Sequence, residues 1–193
     1  MSAPMRYLMN DLMNDIKAKL SSNKAPGKSL YPSNPIGIAL SDRIAAAIRH
    51  GQPFHVYMTL PEHPEGWLDD ITIVGQIHWT MQSLVFAERS LINRIRAALV
   101  AKKLCRNPLS TAEWNAAIEK AFDSGAHKAV PDKEWQRYLT LLNLRSCDVL
   151  DGVLRTQQVY VHSKLLIVND RHVIIGSANI NDRSMGGKRD SEL

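Results

Sequence analysis

The sequence predicts an α/β fold in which helices flank a mixed β-sheet, and two features of its apolar pattern support this. Between residues 36 and 103 the apolar residues mostly recur every three or four positions, as in amphipathic helices. From residue 159 onward the chain is rich in β-branched and aliphatic residues, which favour strands. With 193 residues, the chain has room for about one domain with one core.

The predicted elements begin with an amphipathic helix over residues 5–20 and a proline-rich stretch typical of a linker. We therefore expect an N-terminal helix and linker over residues 1–34 and a lobe over residues 35–193. Within the lobe, a helix over residues 36–50 has Gly51 as its C-terminal stop. The other predicted elements are a strand over 53–60, one long helix or two abutting helices over 71–103, a helix opened by the capping box of Ser110 and Glu113, a helix over 132–142, and a β-hairpin with strands over 159–168 and 172–178.

The composition excludes a disordered chain, since 45% of the residues are hydrophobic and 22% are charged. The formal net charge of +5 favours an anionic partner such as a phosphate ester, a phospholipid head group or nucleic acid. Five basic residues gather towards the end of the long predicted helix, where they form either a solvated face or a rim that attracts anions: Arg89, Arg94, Arg96, Lys102 and Lys103. Two cysteines, Cys105 and Cys147, are too few for a disulfide framework and are expected to be free, buried thiols.

The sequence shows no apolar run as long as a transmembrane helix, and its N-terminus lacks the apolar core of a signal peptide. We therefore expect a soluble protein or one peripheral to a membrane. Two locations remain possible: the cytoplasm, or the outside of the cell after export by a route that needs no signal peptide.

A group of polar residues in the predicted hairpin carries the chemistry. His162 and Lys164 stand two apart, so that in a strand they share a face, and the segment Gly176, Ser177, Ala178, Asn179 follows on the next strand. If the turn is centred near residue 170, Asn179 comes close to His162. An imidazole, an ammonium group and a carboxamide suit a phosphodiester, because the imidazole transfers protons or attacks phosphorus while the other two bind the phosphate oxygens. No metal and no cofactor are required.

The pattern HxKxxxxD followed by GSxN is the HKD motif of the phospholipase D superfamily, and residues 160–192 resemble the second HKD region of phospholipase D. A looser resemblance extends over residues 35–193. It implies one lobe of a phospholipase D-type fold, truncated at its C-terminus because the family continues into another buried strand beyond the position of Leu193.

The resemblance also implies roles for individual residues. His162 matches the motif histidine, which forms a phosphohistidine or acts as the general acid, and the second motif favours the acid role. Lys164 and Asn179 match phosphate-binding residues, and Ser177 is an additional hydrogen-bond donor. Glu192 resembles the carboxylate that orients the histidine. One departure is Asn169, which stands at the motif's aspartate position beside Asp170, and we expect it to serve the turn.

A phospholipase D site combines two HKD motifs, and this sequence contains one. Six other histidines lack the motif spacing and are interpreted as surface or core residues: His50, His55, His63, His78, His127 and His172. The second half-site is expected to come from a homodimer or from a missing N-terminal segment.

The leading interpretation is a phospholipase D-type phosphodiesterase that hydrolyses phospholipids such as phosphatidylcholine at a membrane surface, giving phosphatidate and a free alcohol through a phosphohistidine. The alternatives are a cardiolipin synthase-like phosphatidyltransferase, a dimeric HKD nuclease and an inactive truncated remnant. Nucleic acid is not the expected partner, because the HKD nucleases do not resemble this chain over residues 35–145.

Overall fold

The computed structural model describes residues 35–61, 66–67, 69–185 and 192, and it shows the predicted mixture of helices and strands. The helices of this part are α1 (Ile36–His50), α2 (Ile71–Met81), α3 (Leu91–Leu104), α4 (Thr111–Asp123), α5 (Asp132–Trp135) and α6 (Asp182–Met185). Its strands are β1 (Val56–Thr59), β2 (Leu139–Leu142), β3 (Arg145–Leu150), β4 (Val153–Gln158), β5 (Lys164–Val168) and β6 (His172–Gly176). The fold class is therefore α/β, whereas the helix predicted over residues 5–20 lies outside the described residues.

Helix α1 ends as the sequence predicts. Gly51 adopts a left-handed φ of 67°, which costs a residue without a β-carbon little. Its N–H donates to the carbonyl of Ile48 at 3.2 Å, and the N–H of Gln52 donates to that of Ala47 at 2.9 Å. This pair of hydrogen bonds is the Schellman arrangement, which satisfies the last carbonyls of the helix and turns the chain into β1.

The long helical pattern over residues 71–103 corresponds to two helices joined by a π-helical segment, Gln82–Phe86. The second helix has its own N-cap, because the Ser90 hydroxyl oxygen accepts the N–H of Asn93 at 3.3 Å and the hydroxyl donates to the Val85 carbonyl at 3.0 Å. Of the two predicted alternatives, one long helix or two helices, the structure shows two, and the break follows from this second cap.

The capping box of α4 forms on one side. Ser110 accepts the N–H of Glu113 at 3.3 Å, as predicted. The carboxylate of Glu113 does not return to Ser110 but accepts the backbone N–H groups of Arg106 at 2.6 Å and Asn107 at 3.0 Å. The hydrogen bonds from Asn107 and Arg106 hold the pKa of Glu113 below its usual range and fix the loop between α3 and α4.

The helix predicted over residues 132–142 is wrong. Helix α5 lasts four residues, and the chain then forms β2, which pairs in parallel with β1 from Val56 opposite Leu139 to Thr59 opposite Leu142. The backbone of β1 needs hydrogen-bond partners, and β2 provides them while placing the fully buried Leu139 in the core. The paired strands are far apart in sequence, so local periodicity could not reveal the pairing.

The main core lies where α1, α3 and α4 pack against β2. Its fully buried members include Ile44 and Ile48 of α1, Ile95 of α3 and Leu139 of β2, with Trp114 of α4 also buried. Burial of this apolar surface is the main stabilising contribution to the α/β part of the chain.

Two β-hairpins follow the core. The antiparallel β3–β4 hairpin was not predicted, although Asp151-Gly152 at its tip is a strong hairpin signal, and both residues adopt positive φ. The β5–β6 hairpin was predicted, but its strands are shorter than expected and β5 begins at Lys164. The N–H of Arg171 donates to the carbonyl of Val168 at 3.1 Å, which closes the second turn.

The chain divides into two compact units, one over residues 35–175 and a second that contains residues 176–193. None of the helices in the described part is long and apolar enough to cross a bilayer. Both cysteines are free, as expected, but Cys147 is exposed rather than buried, because none of the described elements covers the residues of β3. Cys105 is half-buried, and this partial desolvation raises the pKa of its thiol.

Candidate functional site

His162 and Lys164 lie where the chain enters β5. Lys164 is the first residue of the strand, while His162 precedes the strand by two positions, so the prediction that both lie in the strand is wrong. Their relation is instead a local hydrogen bond, in which the Lys164 ammonium donates to the backbone carbonyl of His162 at 2.6 Å. The ammonium group sits beside the histidine and keeps two further N–H donors for a ligand.

The ring of His162 has the ring of Tyr160 as its nearest aromatic neighbour among the described residues. Their ring centroids lie 5.8 Å apart at an interplanar angle of 35°. Tyr160 was not predicted to belong to the site, although its position two residues before the motif histidine is the available signal. Its ring restricts the space on one side of the imidazole.

Ser177 and Glu192 are brought together although fifteen positions separate them. The Ser177 hydroxyl donates to a carboxylate oxygen of Glu192 at 2.5 Å, and Glu192 is half-buried. A serine hydroxyl has one hydrogen to donate, so in this arrangement that hydrogen serves the carboxylate. A carboxylate accepts through two oxygens, which allows Glu192 to accept from a second donor as well.

Asn179 follows β6 by three residues, with an exposed side chain. It belongs with Ser177 and Glu192 to the unit that contains residues 176–193, whereas His162 and Lys164 belong to the unit over residues 35–175. The convergence of His162, Lys164 and Asn179 on one phosphate therefore stays a prediction.

Asn169 and Asp170 form the tip of the β5–β6 hairpin with φ values of 53° and 55°. Positive φ at both central positions is the signature of a type I′ turn, whose twist matches that of the flanking strands. Asparagine tolerates this conformation well, so Asn169 is suited to the turn.

Among the other histidines, His127 is completely buried, with Nδ1 3.0 Å from the Ala121 carbonyl and Nε2 3.3 Å from a carboxylate oxygen of Glu88. It is a core residue, in agreement with its interpretation. His63 lies outside the described residues. Within the described ranges, no cluster of three or more His, Cys, Asp or Glu side chains could hold a metal ion.

A family model described as phospholipase D matches residues 22–193, which is most of the chain and includes the whole HKD motif. The chain belongs to the phospholipase D family. Three similar relatives carry the same name: phospholipase D2 of Bos taurus (36% identity), phospholipase D1 of Homo sapiens (35%) and phospholipase D A of Dictyostelium discoideum (33%).

Each of these three alignments covers 83% of this chain but a small part of the phospholipase D relative. The covered share is 14% of the Bos taurus protein, 12% of the Homo sapiens protein and 10% of the Dictyostelium discoideum protein. The likeness thus concerns a segment of a phospholipase D that includes an HKD motif.

Proposed function

We propose that this chain provides one half-site of a phospholipase D-type phosphodiesterase, with His162 as its general acid. The observation that carries the proposal is the hydrogen bond between Ser177 and Glu192, which brings the carboxylate to the GSxN segment of an HKD motif. That segment lies inside the phospholipase D match, and the similar relatives described above all carry the phospholipase D name.

In the proposed reaction, the histidine of a second HKD motif attacks the phosphorus of a phosphodiester. A P–N bond forms while the P–O bond to the leaving alcohol breaks, and His162 gives its proton to the departing oxygen. Neutral His162 then removes a proton from water, which attacks phosphorus and breaks the P–N bond. With phosphatidylcholine, the products are choline and phosphatidate.

Lys164 and Asn179 stabilise the negative charge on the non-bridging oxygens. The Lys164 ammonium already lies beside the backbone of His162, and in this proposal its two remaining donors bind the phosphate. Charged donors held in place before the reaction contribute most when charge builds up in the transition state.

Glu192 acts as a positioning residue for His162. A carboxylate that accepts from one imidazole nitrogen fixes which nitrogen faces the substrate and favours the protonated ring, as the acid in a Ser-His-Asp triad does. In this proposal Ser177 holds the carboxylate through one oxygen, and the other oxygen accepts from the imidazole.

The second half-site is another copy of the chain or an HKD segment on the N-terminal side, and the substrate is a phospholipid at a membrane surface. Because the chain carries one motif, its activity as an isolated chain depends on association. Specific activity should therefore rise with protein concentration, while sedimentation shows conversion from monomer to dimer. A monomeric, well-folded chain with full activity would contradict the half-site.

The role of His162 is tested with phosphatidylcholine vesicles by measuring choline release. The variant His162→Ala should lower turnover by about 100- to 10,000-fold, the usual contribution of a general acid. The matched control is His172→Ala, which removes an exposed histidine of the same hairpin and should leave turnover unchanged. Equal activity of wild type and His162→Ala would refute the proposal.

Parallel incubations with phosphatidylglycerol and with plasmid DNA distinguish the alternatives. Formation of cardiolipin would indicate a phosphatidyltransferase, and DNA cleavage that His162→Ala abolishes would indicate a nuclease. If none of the three substrates reacted in a His162-dependent way, the remaining interpretation would be an inactive remnant.

A further inference from the structure

A basic groove lies at the tip of the β5–β6 hairpin, within the unit over residues 35–175. It has a volume of about 820 Å³ and is lined by the C-terminal end of α1, the segment before β1, the segment before β2 and one residue of α3. Asn169 contributes from the hairpin tip. Since β5 advances about 3.3 Å per residue, Asn169 lies roughly 16 Å from Lys164, so the groove is separate from the His162 and Lys164 end of the motif.

The charged groups of this basic groove are Lys102 and Arg137. Among the described residues, neither side chain has an ion pair or hydrogen bond, and no carboxylate lines the groove. The contrast with neighbouring basic residues is clear, since Lys103 pairs with Glu134 at 3.4 Å and Arg96 pairs with Asp132 at 2.6 Å. Two exposed cations without carboxylate partners attract an anion from solution.

The walls of the basic groove are fixed by the fold. His55 bridges the backbone carbonyl of Arg137 and the hydroxyl of Thr140, at 2.9 Å in both cases. Gly51, in its left-handed conformation, lies against Lys102, because a β-carbon at position 51 would come 3.7 Å from the Lys102 Nζ. The backbone that carries Arg137 is thus held in place before any ligand arrives, which lowers the entropic cost of binding.

Asn169 places a neutral amide in the basic groove, where the HKD motif pattern would place a carboxylate. The motif has an aspartate at this position, and a carboxylate there would face the two cations and neutralise part of their charge. The neutral amide of Asn169 instead offers a hydrogen-bond donor to an anion.

We propose that this basic groove is a second anion site, distinct from the phosphate site proposed at His162 and Lys164, that binds a phosphate monoester group. Two cations match the roughly two negative charges of a monoester, whereas a phosphodiester carries one. The phosphate group belongs either to the head group of a lipid such as phosphatidate or to a free phosphate ion, which carries a similar charge. The site does not depend on whether the chain catalyses phosphodiester hydrolysis.

Titration calorimetry with inorganic phosphate tests the site on the full chain, at constant ionic strength. The variant Lys102→Ala should weaken phosphate binding about tenfold or more, the usual loss with one charged donor. Its control is Lys103→Ala, which removes the same charge one position along the same helix but at a residue that does not line the groove. If both variants weakened phosphate binding equally, the loss would be due to the net charge of the protein, and the proposed site would be refuted.

A second pair of variants separates the basic groove from the HKD motif. Asn169→Asp should weaken phosphate binding as Lys102→Ala does, because it places a carboxylate among the cations, and it keeps a residue type that tolerates the turn. Phosphate binding that disappears in Lys164→Ala but persists in Lys102→Ala would place the anion at the motif instead and overturn the proposal.

Co-sedimentation with vesicles identifies the source of the phosphate. The probes are vesicles of phosphatidylcholine with and without phosphatidate. Recruitment that requires both phosphatidate and Lys102 supports a lipid head group, and phosphate binding in solution without such recruitment supports a free phosphate. Absence of Lys102-dependent binding in both experiments overturns the proposal.

Discussion

At the scale of single residues, the tip of the β5–β6 hairpin requires residue types that tolerate positive φ. Asn169 and Asp170 hold φ values of 53° and 55°, where most residues with a β-carbon are strained. Asparagine and aspartate tolerate this conformation, so the motif departure at position 169 leaves the turn intact.

The turn yields a stability prediction. Asn169→Ala should lower the free energy of unfolding by about 1 kcal/mol, because alanine is more strained at positive φ than asparagine is. Asn169→Gly serves as the control, since glycine adopts this conformation freely, and it should unfold at nearly the urea concentration of the wild type. Coincident urea curves for the two variants would contradict this account of the turn.

A second residue-scale prediction concerns Glu192 as a positioning residue. Glu192→Gln should lower kcat for phosphatidylcholine at least about tenfold with little change in KM, because the imidazole loses its orientation and the stabilisation of its charge. A purely structural role would lower the melting temperature and would not reduce kcat while leaving KM in place.

At the scale of elements, the carboxylate of Glu113 connects α4 to the loop before it. The backbone N–H groups of Asn107 and Arg106 lower its pKa, so the folded chain releases this proton at a lower pH than the unfolded chain does. The carboxylate therefore stabilises the fold above the ordinary pKa of a glutamate. That contribution disappears as the pH falls through the lowered pKa.

The lowered pKa of Glu113 makes the stability of the protein depend on pH in a measurable way. Wild type should be more stable than Glu113→Gln at neutral pH, and the difference in melting temperature should shrink as the pH is lowered into the acid range. Other carboxyl groups with a lowered pKa, namely Asp70, Glu88, Glu119 and Asp132, are present in both proteins and cancel in the comparison. A difference that stays constant from neutral to acid pH would exclude the charge of Glu113 as its cause.

Strand β2 carries the second element-scale prediction. Leu139 is fully buried between the strand pair and the helices, so Leu139→Ala should lower the free energy of unfolding by about 2 to 5 kcal/mol. Leu142→Ala, at the exposed end of the same strand, should cost much less. Urea denaturation of both variants measures the contrast, and equal losses would argue against the burial of β2.

At the scale of the whole molecule, the apolar surface is unevenly distributed. The core helices bury theirs, whereas seven aliphatic side chains of β5 and β6 are between 38% and 78% exposed: Leu165, Leu166, Ile167, Val168, Val173, Ile174 and Ile175. Since neighbouring residues of a strand point to opposite faces, both faces of this hairpin are apolar. Exposed apolar strands promote association between chains.

We therefore expect the isolated chain to self-associate as its concentration rises, and Ile174→Lys to reduce this association. Light scattering over a concentration series measures the effect. Gln157→Lys adds the same charge at an exposed polar position of β4 and should leave scattering unchanged. Because Ile174 is exposed, the melting temperature of Ile174→Lys should stay near that of the wild type. Identical scattering of all three proteins would contradict an apolar hairpin surface that drives association.

Features that depend on a few neighbouring residues could be predicted from the sequence. Gly51 ends α1 because glycine tolerates positive φ, Ser110 begins α4 because its hydroxyl accepts a free N–H group, and the HKD pattern marks the family. These features need no distant partner, so the residues alone indicate them.

Features that depend on pairing between distant segments could not be predicted in this way. Residues 139–142 form a strand rather than a helix because they form backbone hydrogen bonds with β1. Similarly, Ser177 donates a hydrogen bond to Glu192, fifteen positions further along the chain. Distant carboxylates likewise decide which basic residues are neutralised, since Lys103 finds Glu134 while Lys102 lines the basic groove. Such contacts join residues that are far apart in sequence. They contribute to stability only when folding has brought the residues together.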